Sequence, residues 1–74
     1  MTHAEKVKQL IVKRLEKENY FNIKFIEKSD LAYYFEADFL NQCLSLKIII
    51  DNELPIKEWE MWKLPEGKIK WEPI

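Results

Sequence analysis

Cys43 and His3 are the one thiol and the one imidazole in 74 residues. A cysteine–histidine pair is the smallest set of side chains here with the makings of nucleophilic chemistry. Such a dyad needs a third group to orient the imidazole, and nothing near His3 at the start of the chain supplies one. The expected roles are a small buried or edge thiol and a solvated imidazole. One cysteine leaves no partner for an intrachain disulfide, and one of each residue cannot build a zinc cage of the usual spacing. Glu36 and Asp38, two residues apart, resemble a general acid/base pair, but cross-strand partners are expected for them instead. Gly67 is the sole glycine, so no glycine-rich loop exists to cradle phosphate. No catalytic residue, cofactor or metal is assigned, and the chain is not expected to be an enzyme.

Two other groups of residues suggest binding. Lys6, Lys13 and Lys17, with Arg14 beside them, lie along one side of a predicted helix. Neutralising phosphates is the main source of duplex affinity, so these four are the candidates for a nucleic-acid contact. Glu5, Glu16 and Glu18 interrupt the stripe. The second group is aromatic. Trp59, Met61, Trp62 and Trp71 fall within thirteen residues, interleaved with Lys and Glu. Tryptophan and methionine are enriched at interface cores, and tryptophan also fills the cores of small domains. Both roles stay open for these residues.

The elements that must position these groups begin with a helix over residues 3–18. Thr2-His3-Ala4-Glu5 matches a capping box. Ala4, Val7, Leu10, Ile11 and Leu15 then recur at spacings of three and four, one apolar stripe. Asn19 is the expected left-handed stop. Beyond it the period changes to two. Phe21, Ile23 and Phe25 form one in-facing set, Tyr33, Phe35, Ala37 and Phe39 a second, and Leu44, Leu46, Ile48 and Ile50 a third. Turn residues separate them, which predicts a three-stranded antiparallel meander with one face on the helix.

In-facing residues must pair with in-facing residues, because a one-residue slip reverses every side chain. A three-residue loop, Ser29-Asp30-Leu31, sets Phe25 opposite Phe35, Phe21 opposite Phe39 and Lys24 opposite Glu36. A two-residue loop, Asn41-Gln42, sets Glu36 opposite Lys47 and Phe35 opposite Ile48. The outer face would then carry a Lys24, Glu36, Lys47 row and an apolar Ile26, Tyr34, Ile49 row. Residues 56–64 fit either a short helix or a strand. A hairpin through Pro65-Glu66-Gly67-Lys68 would set Leu64 opposite Ile69 and Trp62 opposite Trp71. Helix followed by three strands resembles the opening of a double-stranded RNA-binding domain. That family closes on a helix with lysines at its start, whereas residues 55–64 here carry Glu58, Glu60 and two tryptophans.

The totals bound the rest. Seventy-four residues make one domain, and 47% hydrophobic content with ten aromatic residues (14%) suits a packed chain. A net charge of −1 gives no general attraction to nucleic acid or anionic lipid. The N-terminus carries no apolar signal-like region, and Ile48-Ile49-Ile50 is far too short to span a bilayer. A cytoplasmic location is expected. The abundance of Ile, Lys, Glu and Asn fits an AT-rich genome, such as that of a phage or mobile element. The sequence thus predicts an α+β domain: an N-terminal amphipathic helix on a three-stranded meander, with a Trp-rich C-terminal hairpin or short helix. The expected function is a small protein-binding module (an inhibitor, adaptor or antitoxin). Its partner is another protein or a second copy in a homodimer, and Trp59, Met61, Trp62, Trp71, Ile26, Tyr34 and Ile49 are the candidate contacts. The alternative is nucleic-acid binding through Lys6, Lys13, Arg14 and Lys17.

Overall fold

The computed structural model describes residues 2–51, 53–55 and 58–74. Helix α1 runs from His3 to Lys17. The Thr2 hydroxyl accepts a hydrogen bond from the Glu5 amide at 3.2 Å, a cap worth ~1 kcal/mol. The other end is a Schellman motif. Asn19 turns left-handed at φ 73°, the Asn19 amide donates to the Glu16 carbonyl and the Tyr20 amide to that of Leu15. Leu15 and Tyr20 are both buried, the apolar contact that accompanies this motif. Val7, Ile11 and Leu15 form the buried stripe, while Leu10 is largely exposed.

The rest of the described chain is one antiparallel sheet in the order β1-β2-β3-β4-β5. The strands are β1 Phe21–Ser29, β2 Ala32–Phe39, β3 Gln42–Ile49, β4 Glu60–Leu64 and β5 Glu72–Pro73. The inner face supplies Tyr33, Phe35, Ala37, Leu44, Leu46 and Ile48, which form one core with the helix stripe. The expected helix on an antiparallel meander is present, extended by two strands. Residues 60–64 are strand, so they do not form the closing helix of a double-stranded RNA-binding domain. The helical alternative also fell on Ile56 and Lys57, which lie outside the described residues.

Several pairings differ from those expected. Phe25 faces Phe35 and Lys24 faces Glu36, as the alternation required. The β1–β2 loop, however, has two residues, since Ser29 pairs with Ala32. A bulge between Phe25 and Glu27 absorbs the extra residue. Ile26 is therefore not opposite Tyr34; Glu27 is. A second irregularity between Phe21 and Lys24 puts Phe21 opposite Asp38, not Phe39. There Asn22 takes φ 53° and its side-chain amide donates to Asp38 Oδ2 at 2.9 Å.

The β2–β3 turn is Leu40-Asn41 rather than Asn41-Gln42, with φ 50° and 65°. Positive φ at both central residues is the mark of a type I′ hairpin, whose twist matches that of the strands. The register consequently moves by two: Glu36 faces Ser45, Phe35 faces Leu46, and Lys47 faces Tyr34. Ile49 faces Ala32 on one side and Glu60 on the other, so the Ile26, Tyr34, Ile49 row does not exist. A shift of two leaves every residue on its own face. Alternation alone therefore could not distinguish the two registers.

Candidate functional site: the β1 edge and the outer face

The seven aromatic and apolar candidates divide among three places. Trp59 and Met61 pack against the core on the helix side of the sheet. The Trp59 indole N–H donates to the carbonyls of Asp51 at 2.7 Å and Leu54 at 3.0 Å, tying down the connection into β4. Tyr34, Trp62, Trp71 and Ile49 belong to the outer face. Trp62 faces Lys47 from β4 and Pro73 on the other side. Lys63 faces Glu72. The hairpin register that set Leu64 opposite Ile69 and Trp62 opposite Trp71 is thus replaced by a longer excursion through residues 65–71. That excursion brings Trp71 to within 6.2 Å of the Tyr34 ring, centroid to centroid. Lys47 Nζ sits 4.9 Å over the Trp71 ring, a cation–π contact. The tail thereby covers part of the face that the helix leaves open, and all three tryptophans are half-buried. The Trp62 indole N–H is buried and has no protein acceptor among the described residues.

Ile26 stands apart on β1. This strand ends the sheet, so one of its edges has no neighbouring strand among the described residues. It is nine residues long, and Phe21, Phe25 and Ile26 are 52%, 41% and 51% exposed. Phe25 is braced from within: its ring meets Phe35 edge-on at 5.5 Å, and Lys8 Nζ of α1 lies 4.3 Å over it. The alternation reads Phe21 and Phe25 as core-facing. Phe21 is not: the irregularity after it sets it opposite Asp38, beside Cys43 on the outer face. Phe25 keeps the inner face, and its exposure follows from edge position, which leaves a flank of its ring without a cross-strand neighbour.

The candidate nucleic-acid residues divide between three lysines and a paired arginine. Lys6, Lys13 and Lys17 are exposed, but Arg14 is half-buried and its Nε donates to Glu18 Oε1 at 3.2 Å. At the Asp51 end of the sheet, a groove of about 470 Å³ has Leu31 and Trp59 in its lining and Asp51, Glu53, Glu58 and Glu60 around them. Four carboxylates there repel phosphate.

Cys43, the second residue of β3, lies on the outer face, paired with Asp38, and the helix that carries His3 packs on the inner face. The sheet lies between them, so no dyad forms. The thiol instead points at a carboxylate, with Sγ 3.8 Å from Glu36 Oε1. Although the residue as a whole is exposed, partial desolvation, then the Glu36 and Asp38 charges, push the thiol pKa above its ordinary value. A raised pKa disfavours the thiolate that nucleophilic chemistry requires. Glu36 and Asp38 share the outer face with Cys43, Lys24 and Asn22 around a shallow hollow. Among the described residues no cluster of three or more His, Cys, Asp or Glu is placed to hold a metal, and no helix is long and apolar enough to cross a membrane. No family model matches the chain, and no curated protein or solved structure matches it.

Proposed function

We propose that this chain is a small protein-binding module that joins its partner along the free edge of β1. The observation that carries the reading is a nine-residue edge strand with Phe21, Phe25 and Ile26 exposed. An open strand edge offers unpaired backbone donors and acceptors, and adding a strand satisfies them while alternate side chains supply specificity. The candidate contact surface therefore moves from the tryptophans, which are half-buried against their own chain, to β1 with Ile26 at its centre. The acidic groove and the Arg14–Glu18 pair weigh against phosphate as the ligand. A cytoplasmic setting accords with a free thiol, and an inhibitor or adaptor carried by a phage or mobile element remains the biological role proposed.

Affinity capture from the source organism's lysate, with matched variants, tests the reading. A protein held by the wild type, resistant to moderate salt and lost with Ile26→Lys, is the expected result. Retention by Ile26→Lys, together with loss when Lys6, Lys13 and Lys17 are changed to Glu or when salt is raised, would transfer the function to nucleic acid, whose binding falls steeply with salt.

A further inference from the structure

We infer that the strand which the β1 edge accepts is β1 of a second copy, paired antiparallel about a twofold axis between Phe25 and Ile26. The inference rests on the strand-addition reading above and names the partner. The argument starts at the bulge. Lys24 faces Glu36 and Glu27 faces Tyr34, and both partners, Glu36 and Tyr34, project from the outer face. The extra residue thus places Lys24 and Glu27, three apart in sequence, on the same side of one strand. In an unbroken strand an odd separation would put them on opposite faces.

Antiparallel self-pairing about the Phe25–Ile26 midpoint brings Lys24 of each copy opposite Glu27 of the other. The same operation brings Phe25 of each copy opposite Ile26 of the other, joining two of the three apolar side chains left exposed on β1. A twofold interface repeats each contact, so one lysine and one glutamate yield two complementary pairs. Neighbouring registers lose this match: a shift one way sets Lys24 against Lys28, and a shift the other way sets Lys24 against Ile26. On the inner face Lys8 is held over Phe25 and Lys28 lies 5.7 Å from the Tyr33 ring centroid, so neither competes for Glu27 on the outer face.

The features that blunt this edge toward other strands favour the same choice. Bulges and edge lysines ordinarily discourage edge-to-edge pairing, since a regular strand cannot follow the distortion and gains no partner for the charge. A second copy brings an identical bulge to the axis and a carboxylate to each lysine. Such an edge discriminates against foreign strands while accepting itself.

Sedimentation equilibrium on the full chain at micromolar concentrations, with Lys24→Glu and Glu27→Lys, tests the pairing. The wild type is expected to be a dimer. Each charge reversal alone places like charges across both pairs and should raise the dissociation constant by about tenfold or more. An equimolar mixture of the two variants should re-form a heterodimer, because glutamates at 24 and 27 of one then face lysines at 27 and 24 of the other. Glu27→Lys changes a side chain that faces Tyr34 within its own chain, so its fold should survive, as circular dichroism will show. Lys24→Glu sets a second acid opposite Glu36; if it does not fold, Glu27→Lys decides alone, by its loss of dimer and of hydrogen-exchange protection at the β1 amides. Single variants that stay dimeric, or a mixture of folded variants that stays monomeric, would overturn the pairing. A monomeric wild type whose β1 amides gain protection only with a captured protein overturns self-pairing and leaves strand addition standing. Amides of β1 that neither condition protects overturn both.

Discussion

Glu36 shows how one side chain sets the chemistry of its neighbours. It faces Lys24 across β1 and Ser45 across β3, and it accepts from the Cys43 thiol. Of the charges on that thiol, its carboxylate is the foremost in raising the pKa, after desolvation. Replacing it with Gln removes a negative charge beside the sulfur, so the thiol pKa falls and more thiolate is present at neutral pH. Alkylation of Cys43 in Glu36→Gln should therefore be faster than in the wild type at neutral pH, and the two rates should converge once pH exceeds both pKa values. Equal rates at neutral pH would show that desolvation alone holds the thiol up. Cys43 and the two carboxylates are legible in the sequence as types. Their juxtaposition is not, because it depends on which residue of β3 lies beside β2.

At the scale of the element, the β2–β3 hairpin is built on an unfavourable residue. Leu40 takes φ 50°, a region that costs an ordinary L-residue roughly 1 kcal/mol or more, and it is 77% exposed, so little packing offsets the strain. Asparagine tolerates left-handed backbone and is favoured in type I′ turns. Leu40→Asn should stabilise the protein by about 0.5–1 kcal/mol, read as a higher urea midpoint with unchanged slope. A lower midpoint would mean that the leucine side chain contributes more than its exposure suggests. Helix α1, by contrast, has each of its end signals in place, the Thr2 cap and the Asn19 stop, so its limits were predicted to within one residue. The turn escaped because Asn41-Gln42 reads as a better loop than Leu40-Asn41 by composition.

At the scale of the molecule, stability rests on a small core under one helix. Leu46 and Leu15 are fully buried, with Ile11 and Ile48 nearly so. Domains have about 0.05–0.15 kcal/mol of stability per residue, or roughly 4–11 kcal/mol for 74 residues. Leu46→Ala opens a cavity at the centre of the sheet and should cost ~2–5 kcal/mol, a large part of the whole. Thermal unfolding should show a marked fall in midpoint or a chain already partly unfolded at room temperature. A fall of only a few degrees would mean that the tail and the half-buried tryptophans repack into the space. The outer face has its own partial cover in Trp71, which reduces the apolar surface left for a partner there. The β1 edge keeps its exposure because no element of the described chain lies beyond it.

The sequence by itself determined the helix, its caps, the strands β1 to β3 and the face on which each of their buried residues lies, because these follow from local geometry and from periods of 3.6 and 2. It also determined that Lys24 faces Glu36 and Phe25 faces Phe35, since few in-phase pairings of β1 and β2 exist. Only the tertiary structure decided what a period of two cannot resolve: the two-residue shift of β3 against β2, and the bulge that moves Ile26 away from Tyr34. It likewise decided the path of residues 65–71 across the outer face, which rests on contacts between Trp71, Tyr34 and Lys47, far apart in the chain. Whether an aromatic residue is cover or free surface depends on which strands end the sheet and where the tail returns. Those are properties of the assembled sheet, and no window of neighbouring residues encodes them.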